Sequence, residues 1–185
     1  MKRVVVIAPF LLATLFAGCV HKTHALREVL QSYSGDGIIT DTSIASPLFR
    51  SPGFRIEFPE FSALSNYEAS YRLTGIPATK DKTSTILLRF ESPDCQAYEQ
   101  KARVTASFRF KISNESGVIL YVEDLPIGNA IWASSGSWFG IYDSAKSEFR
   151  FDSRTSYTLH VVYIAGDVPP PAESLFVTIE NGGIK

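Results

Sequence analysis

The sequence has no excess of positive charge. Its 185 residues carry 18 lysines and arginines against 19 aspartates and glutamates, so the net charge is −1 with histidine neutral. Nucleic-acid-binding domains usually present a basic patch that neutralises phosphates. The charge balance therefore argues against a nucleic-acid partner.

Histidine and cysteine are also scarce, with three and two copies. The Cys/His clusters of zinc sites and the Asp/Asn/Gly loops of calcium sites are absent, so no cofactor and no metal are expected. His21 and His24 lie three residues apart, but this pattern is more typical of a solvated linker than of a metal site.

Few residues are arranged for hydrolytic catalysis, which needs a nucleophile, a base and usually an orienting group. Ser137 lies in a serine-rich stretch that lacks the G-x-S-x-G pattern of a nucleophile elbow. His160 is the only histidine beyond residue 24, and strand alternation places it on a polar face. The sequence predicts a protein that is not an enzyme, and a hydrolase is the least favoured alternative.

Long apolar runs are missing except at the N-terminus. There Lys2 and Arg3 precede an apolar run from Val4 to Phe16, which small residues follow. Charged, apolar and small-residue regions in this order are typical of a secretory signal peptide, and the run is short for a bilayer span. The sequence therefore predicts export.

Residues 15–19 (LFAGC) resemble the lipobox of bacterial lipoproteins, although Phe16 departs from the family's preference for an aliphatic residue. The resemblance implies removal of residues 1–18 as a signal peptide and attachment of lipid to Cys19. Two or three acyl chains then anchor the protein to the membrane almost permanently. Val20 implies the outer membrane, facing the periplasm, in a Gram-negative host. The alternative is an ordinary signal peptide with a chance cysteine.

Cleavage before Cys19 leaves 167 residues with 16 basic and 19 acidic side chains, enough for one domain with a sizeable core. Lipid on Cys19 also leaves Cys95 without an internal disulfide partner. The favoured role for Cys95 is a buried thiol that packs as a small hydrophobe.

Two segments differ in their periodicity. Residues 19–52 are predicted to form a lipidated N-terminus and tether, with the spacing of a short amphipathic helix over 24–33. From 53 to 185, apolar and polar residues alternate as in antiparallel strands that each have one wet face. About eight strands are predicted, near residues 54–58, 67–73, 86–90, 104–112, 118–122, 149–151, 157–163 and 175–179.

Two stacked sheets bury the apolar faces of all these strands at once. The sequence thus predicts an all-β, antiparallel β-sandwich, immunoglobulin-like or jelly-roll, with a closed barrel as the alternative. Residues 96–102 have the composition of a single helical turn. The stretch around Tyr157 looks like the late strand of many sandwich domains, in which a tyrosine packs near a corner.

Both tryptophans lie in one stretch with two other aromatic residues. Trp132, Trp138, Phe139 and Tyr142 are predicted to lie in a loop loosened by glycines. Exposed aromatic side chains on such loops stack on sugar rings or anchor protein partners, so these four are the candidate binding residues. Alternatively, the same rings close one end of the core.

The favoured function is a lipid-anchored, non-catalytic interaction module of the cell envelope that binds an envelope protein. An immunity or inhibitor protein is one version of this hypothesis. The alternative is a carbohydrate- or peptidoglycan-binding domain, which requires Trp132 and Trp138 to be exposed beside polar groups.

Overall fold

The computed structural model describes residues 32–41, 53–77, 83–92, 97–135, 138–143 and 148–181. Within these ranges the chain forms twelve strands and one short helix, α1 (Ala97–Gln100), which continues into a 3₁₀ turn at Lys101–Arg103. A second 3₁₀ turn, Ile127–Asn129, joins the seventh strand to the eighth. The strands are β1 (Ile38–Asp41), β2 (Phe54–Glu57), β3 (Phe61–Ser62), β4 (Tyr67–Leu73), β5 (Ser84–Glu91), β6 (Ser107–Asn114), β7 (Ile119–Pro126), β8 (Ile131–Ser135), β9 (Trp138–Tyr142), β10 (Glu148–Phe149), β11 (Tyr157–Ile164) and β12 (Ser174–Asn181).

These strands pair antiparallel in two sheets. The larger sheet has the order β1-β2-β12-β5-β9-β8, with β3 added to β12 and β10 to β5. The smaller sheet has the order β4-β11-β6-β7. Buried side chains of both sheets form one hydrophobic core, so the predicted antiparallel β-sandwich is confirmed.

The period-two pattern of the sequence explains which face of each strand is buried. On β11, Tyr157, Leu159, Val161 and Tyr163 are buried, and the residues between them are partly exposed. On β6, Phe108, Phe110 and Ile112 face the same core. Rings and branched aliphatic side chains pack well on a pleated surface, which makes these strands the stable centre of the smaller sheet.

The larger sheet departs from the expectation of one wet face per strand. Leu87, Phe176 and Thr178 lie on the side of β5 and β12 opposite the core, yet their exposed fractions are only 2%, 5% and 0%. Both central strands are therefore buried on both faces, and the prediction of a wet face is wrong for them. The two adjacent leucines of β5 are the sequence feature that matches this burial.

The sandwich begins earlier in the chain than the predicted boundary at residue 53. Ile38 to Asp41, assigned to the tether, form β1 and pair with β2. Just before them, the backbone amides of Ser34 and Asp36 donate to the carbonyls of Thr74 and Arg72. Residues 34–36 thus cover the edge of β4, so this edge of the smaller sheet is not left unpaired. Because residues 32–41 belong to the sandwich, the prediction that they form part of a tether is wrong.

Two local predictions are confirmed. The predicted helical turn is α1 with its 3₁₀ extension. Tyr157 is buried at the start of β11, and its hydroxyl accepts a hydrogen bond of 2.8 Å from the backbone amide of Asp152. Cys19, Cys95 and all but the last two residues of the predicted helix 24–33 lie outside the described residues.

The phenol of Tyr163 makes the fold sensitive to alkali. Tyr163 is fully buried and donates a hydrogen bond of 2.8 Å to the carbonyl of Ala63, and burial raises its pKa from 10.0 to about 12. The protonated phenol makes its full contribution to the free energy of unfolding below pH 10, and this contribution is lost as pH rises toward 12. We expect Tyr163→Phe to lose about 1 kcal/mol at neutral pH. Its free energy of unfolding should also fall less steeply above pH 10 in urea titrations. Equal slopes for the two chains would contradict this assignment.

Candidate functional site

The stretch with the four candidate aromatic residues is a β-hairpin, not a glycine-loosened loop. β8 pairs with β9, so that Trp132 lies opposite Ile141 and Ser134 opposite Phe139. β9 also pairs with β5, which makes the hairpin one end of the larger sheet. Successive residues of a strand point to opposite faces, so the hairpin separates the four aromatic residues into two pairs.

Trp132 and Phe139 point into the sandwich. Their exposed fractions are 5% and 3%, and the indole nitrogen of Trp132 donates a hydrogen bond of 2.9 Å to the carbonyl of Ile127. Phe139 stacks on Phe90 with ring centroids 5.0 Å apart, and Trp132 meets the same ring edge-on at 5.4 Å. The expectation that Trp132 and Phe139 are exposed binding residues is therefore wrong, because both belong to the core.

Trp138 and Tyr142 point to the opposite face and are half-buried. Trp138 lines a groove of about 600 Å³ at one end of the larger sheet. The strands β5, β9 and β12 and the chain before β3 and β12 supply its walls. Of the residues that the structure describes, those that line the groove are Glu60, Glu91, Trp138, Pro171, Ala172, Glu173, Ser174 and Phe176. Tyr142 is not among them.

Carboxylates dominate the polar lining of this groove. Glu60, Glu91 and Glu173 line it, and no lysine, arginine or histidine of the described ranges does so. The hydroxyl of Ser174 donates a hydrogen bond of 3.1 Å to Glu60, which ties the start of β12 to the chain before β3. The groove therefore combines hydrogen-bond acceptors and one indole ring in the same lining.

The indole of Trp138 is held from two sides. Phe176 of β12 meets it edge-on, with ring centroids 5.4 Å apart and an angle of 83° between the rings. The guanidinium carbon of Arg89 lies 5.6 Å from the centroid of the indole. Both contacts come from the face of the sheet that points away from the core.

Sequence reasoning identified only Trp138 from this groove. Its other residues come from three separate parts of the chain, and strand pairing brings them together: Glu91 pairs with Trp138, and Leu175 pairs with Phe61. Such pairings between distant segments leave no local pattern in the sequence. Only the three glutamates, acidic residues near strand ends, could have hinted at the lining.

His160 lies on the outer side of the smaller sheet. Its Nε2 is 2.9 Å from a carboxylate oxygen of Glu68, on the neighbouring strand β4. The proposed partner Ser137 lies outside the described residues. Among the residues that are described, no three His, Cys, Asp or Glu side chains lie close enough to hold a metal ion.

No family model matches this chain. No curated protein matches it either. Among solved structures, the fold is similar to that of Caldicellulosiruptor saccharolyticus CBM27-1, determined in complex with mannohexaose. The identity is 11% and the TM-score 0.39, over 80% of this chain and 88% of that chain. A likeness of this size does not extend to a ligand. Within the described ranges, no helix is long and apolar enough to cross a membrane.

Proposed function

We propose that this protein is a non-catalytic carbohydrate-binding module, held at the cell envelope by lipid on Cys19. The observation that supports it is the half-buried indole of Trp138 in a groove lined by three glutamates. The lipid anchor is inferred from the lipobox-like residues 15–19. The ligand class is inferred from the chemistry of the groove, in two steps.

The first step concerns the indole. Aromatic rings offer a large, rigid apolar surface with little conformational entropy to lose, and sugar rings present apolar C–H faces that stack on them. The contacts with Phe176 and Arg89 fix the orientation of the Trp138 ring before any ligand arrives. A fixed ring at the side of a groove suits a ligand with flat apolar faces.

The second step concerns the polar groups. Sugar hydroxyls are hydrogen-bond donors, and carboxylates are strong acceptors of such bonds. Glu60, Glu91 and Glu173 place acceptors around the indole, and a groove of about 600 Å³ lies within the usual range for small-molecule sites. The combination favours contact with neutral or amino-bearing sugar units, which both chitotetraose and the glycan strands of peptidoglycan contain, over contact with an anionic group.

A second candidate function is recognition of an envelope protein by β7. This edge strand pairs with β6, and no other described strand pairs with its free side. Val118, Ile119, Leu120 and Val122 on and beside it are 44% to 55% exposed. Exposed apolar edge strands accept an added strand from a partner, as in β-augmentation. This surface keeps the protein-binding hypothesis open at a place other than the predicted one.

Trp138→Ala tests the groove. We expect the full chain, solubilised in detergent, to bind purified peptidoglycan sacculi and chitotetraose, and Trp138→Ala to weaken both by at least about tenfold. Tyr142→Ala is the matched control, because Tyr142 shares the outward face of β9 but does not line the groove. Binding is measured by co-sedimentation and by calorimetric titration.

Two outcomes would contradict carbohydrate binding at this groove. One is equal retention of the parent chain and Trp138→Ala on sacculi. The other is the absence of glycan binding together with capture of an envelope protein that Val122→Lys loses, which would support the edge of β7 as the functional surface instead.

A further inference from the structure

We infer that Arg89 is a positioning residue for the binding platform: it holds the indole of Trp138 in place, and Glu180 holds Arg89. This inference rests on the proposed carbohydrate-binding function of the groove. Neither Arg89 nor Glu180 lines the groove, so both act through Trp138 and not by touching the ligand.

The strand register explains why Arg89 reaches the indole. Arg89 on β5 pairs with Gly140 on β9, and Trp138 pairs with Glu91, the next residue of β5 on the same face. Arg89 and Trp138 therefore share the outward face of neighbouring strands, and the guanidinium carbon of Arg89 lies 5.6 Å from the indole centroid.

The burial of Arg89 shows that its position is constrained. Only 9% of Arg89 is exposed, and its Nε atom has no hydrogen-bond partner in the described part of the chain. An arginine keeps its charge even when buried, so it requires a compensating group. Glu180 provides one, because its Oε1 accepts hydrogen bonds from Nη1 of Arg89 and, at 2.8 Å, from Nε of Arg55.

One carboxylate oxygen of Glu180 thus accepts hydrogen bonds from two guanidinium groups. Arg55, Glu180 and Arg89 form a row across β2, β12 and β5 that ends at the indole of Trp138. The face of an aromatic ring attracts a cation, most strongly where water is excluded. The row therefore fixes one side of the indole, and Phe176 contacts the same ring at an interplanar angle of 83°. A ring that is fixed before binding loses less entropy when a sugar stacks on it.

Arg89→Met and Glu180→Gln test this arrangement, with Asp124→Asn as the matched control. Asp124 forms an exposed ion pair with Arg109 on the other sheet, so its substitution changes a comparable interaction away from the groove. The signal of Trp138 is taken as the difference in fluorescence and near-ultraviolet circular dichroism between each chain and the same chain with Trp138→Phe. The measurements are made without ligand and with chitotetraose.

We expect Arg89→Met and Glu180→Gln to change the Trp138 signal in the absence of ligand and to weaken chitotetraose binding about tenfold, with Asp124→Asn unchanged. If either single variant does not fold, Arg89→Met/Glu180→Met replaces it, because removing both charges leaves no uncompensated charge from the pair. An unchanged Trp138 signal in the folded variants would overturn the inference. A changed signal in a chain that binds no glycan would support the positioning role and contradict the proposed function.

Discussion

Replacing Trp132 by alanine is expected to lower the free energy of unfolding by about 3–5 kcal/mol, the usual cost of removing a large aromatic side chain from a core. The indole is 95% buried, contacts Phe90 and Phe139, and satisfies the carbonyl of Ile127 with a hydrogen bond of 2.9 Å. The substitution leaves a cavity and an unpaired carbonyl at the same place. Domains of this size have total stabilities of roughly 5–15 kcal/mol, so Trp132→Ala is expected to populate the unfolded state measurably.

Two further variants separate the sources of this effect. Trp132→Phe keeps most of the ring volume but loses the hydrogen bond to Ile127, so its loss should be about 1–3 kcal/mol. Trp138→Ala removes the half-buried indole on the opposite face and should cost less than Trp132→Ala. Chemical denaturation of all three chains measures these differences. A Trp132→Ala chain as stable as Trp138→Ala would contradict the burial of Trp132.

The strands could be predicted where one face of the sheet is apolar and the other polar. Residues 107–114 and 157–164 lie at the centre of the smaller sheet, with one face on the core and mostly polar side chains on the other, so apolar and polar residues alternate along both strands. In such strands, the alternation of apolar and polar residues in the sequence matches the alternation of buried and exposed side chains in the structure. β1 and β3 have only four and two residues, too few for a period to be recognised.

The hairpin of β8 and β9 was missed for a physical reason. Ala133, Ser134, Ser135 and Gly140 are small or turn-forming residues, and their local preference favours a loop. The hairpin is stabilised instead by distant contacts: β9 pairs with β5, and the hydroxyl of Tyr98 donates a hydrogen bond of 2.9 Å to the carbonyl of Trp132. Tertiary pairing of this kind overrides the low strand propensity of these residues.

The groove was predictable only through its tryptophan. Composition indicated that Trp138 was a rare, large aromatic residue in a small-residue context, which is a reasonable basis for a binding hypothesis. The same argument applied equally to Trp132. Successive residues of a strand point to opposite faces of the sheet, so the position of each tryptophan along its strand decides whether its ring is buried in the core or faces outward. The glutamates and Arg89 become neighbours of Trp138 only through the order β12-β5-β9.

Replacing Cys19 by serine is expected to release the protein from the membrane. The lipobox-like residues 15–19 are proposed to direct lipid to the thiol of Cys19, and a serine hydroxyl does not accept that lipid. Each buried methylene of an acyl chain contributes about 0.8 kcal/mol to anchoring. Loss of two or three chains therefore removes the free energy of anchoring that the acyl chains supply. The membrane-bound fraction, measured by fractionation of cells and by metabolic labelling with fatty acid, should fall from nearly all of the protein to background.

Cys95→Ser is the matched control, because it removes the only other thiol of the chain. Cys95→Ser should keep both the label and the membrane fraction, whereas Cys19→Ser should lose both or accumulate with residues 1–18 uncleaved. Membrane association equal to that of the parent chain, in Cys19→Ser protein from which residues 1–18 have been removed, would contradict the lipid anchor. It would also change the interpretation of the groove, since a module tethered by lipid meets its glycan at the membrane surface, and a freely diffusing one does not.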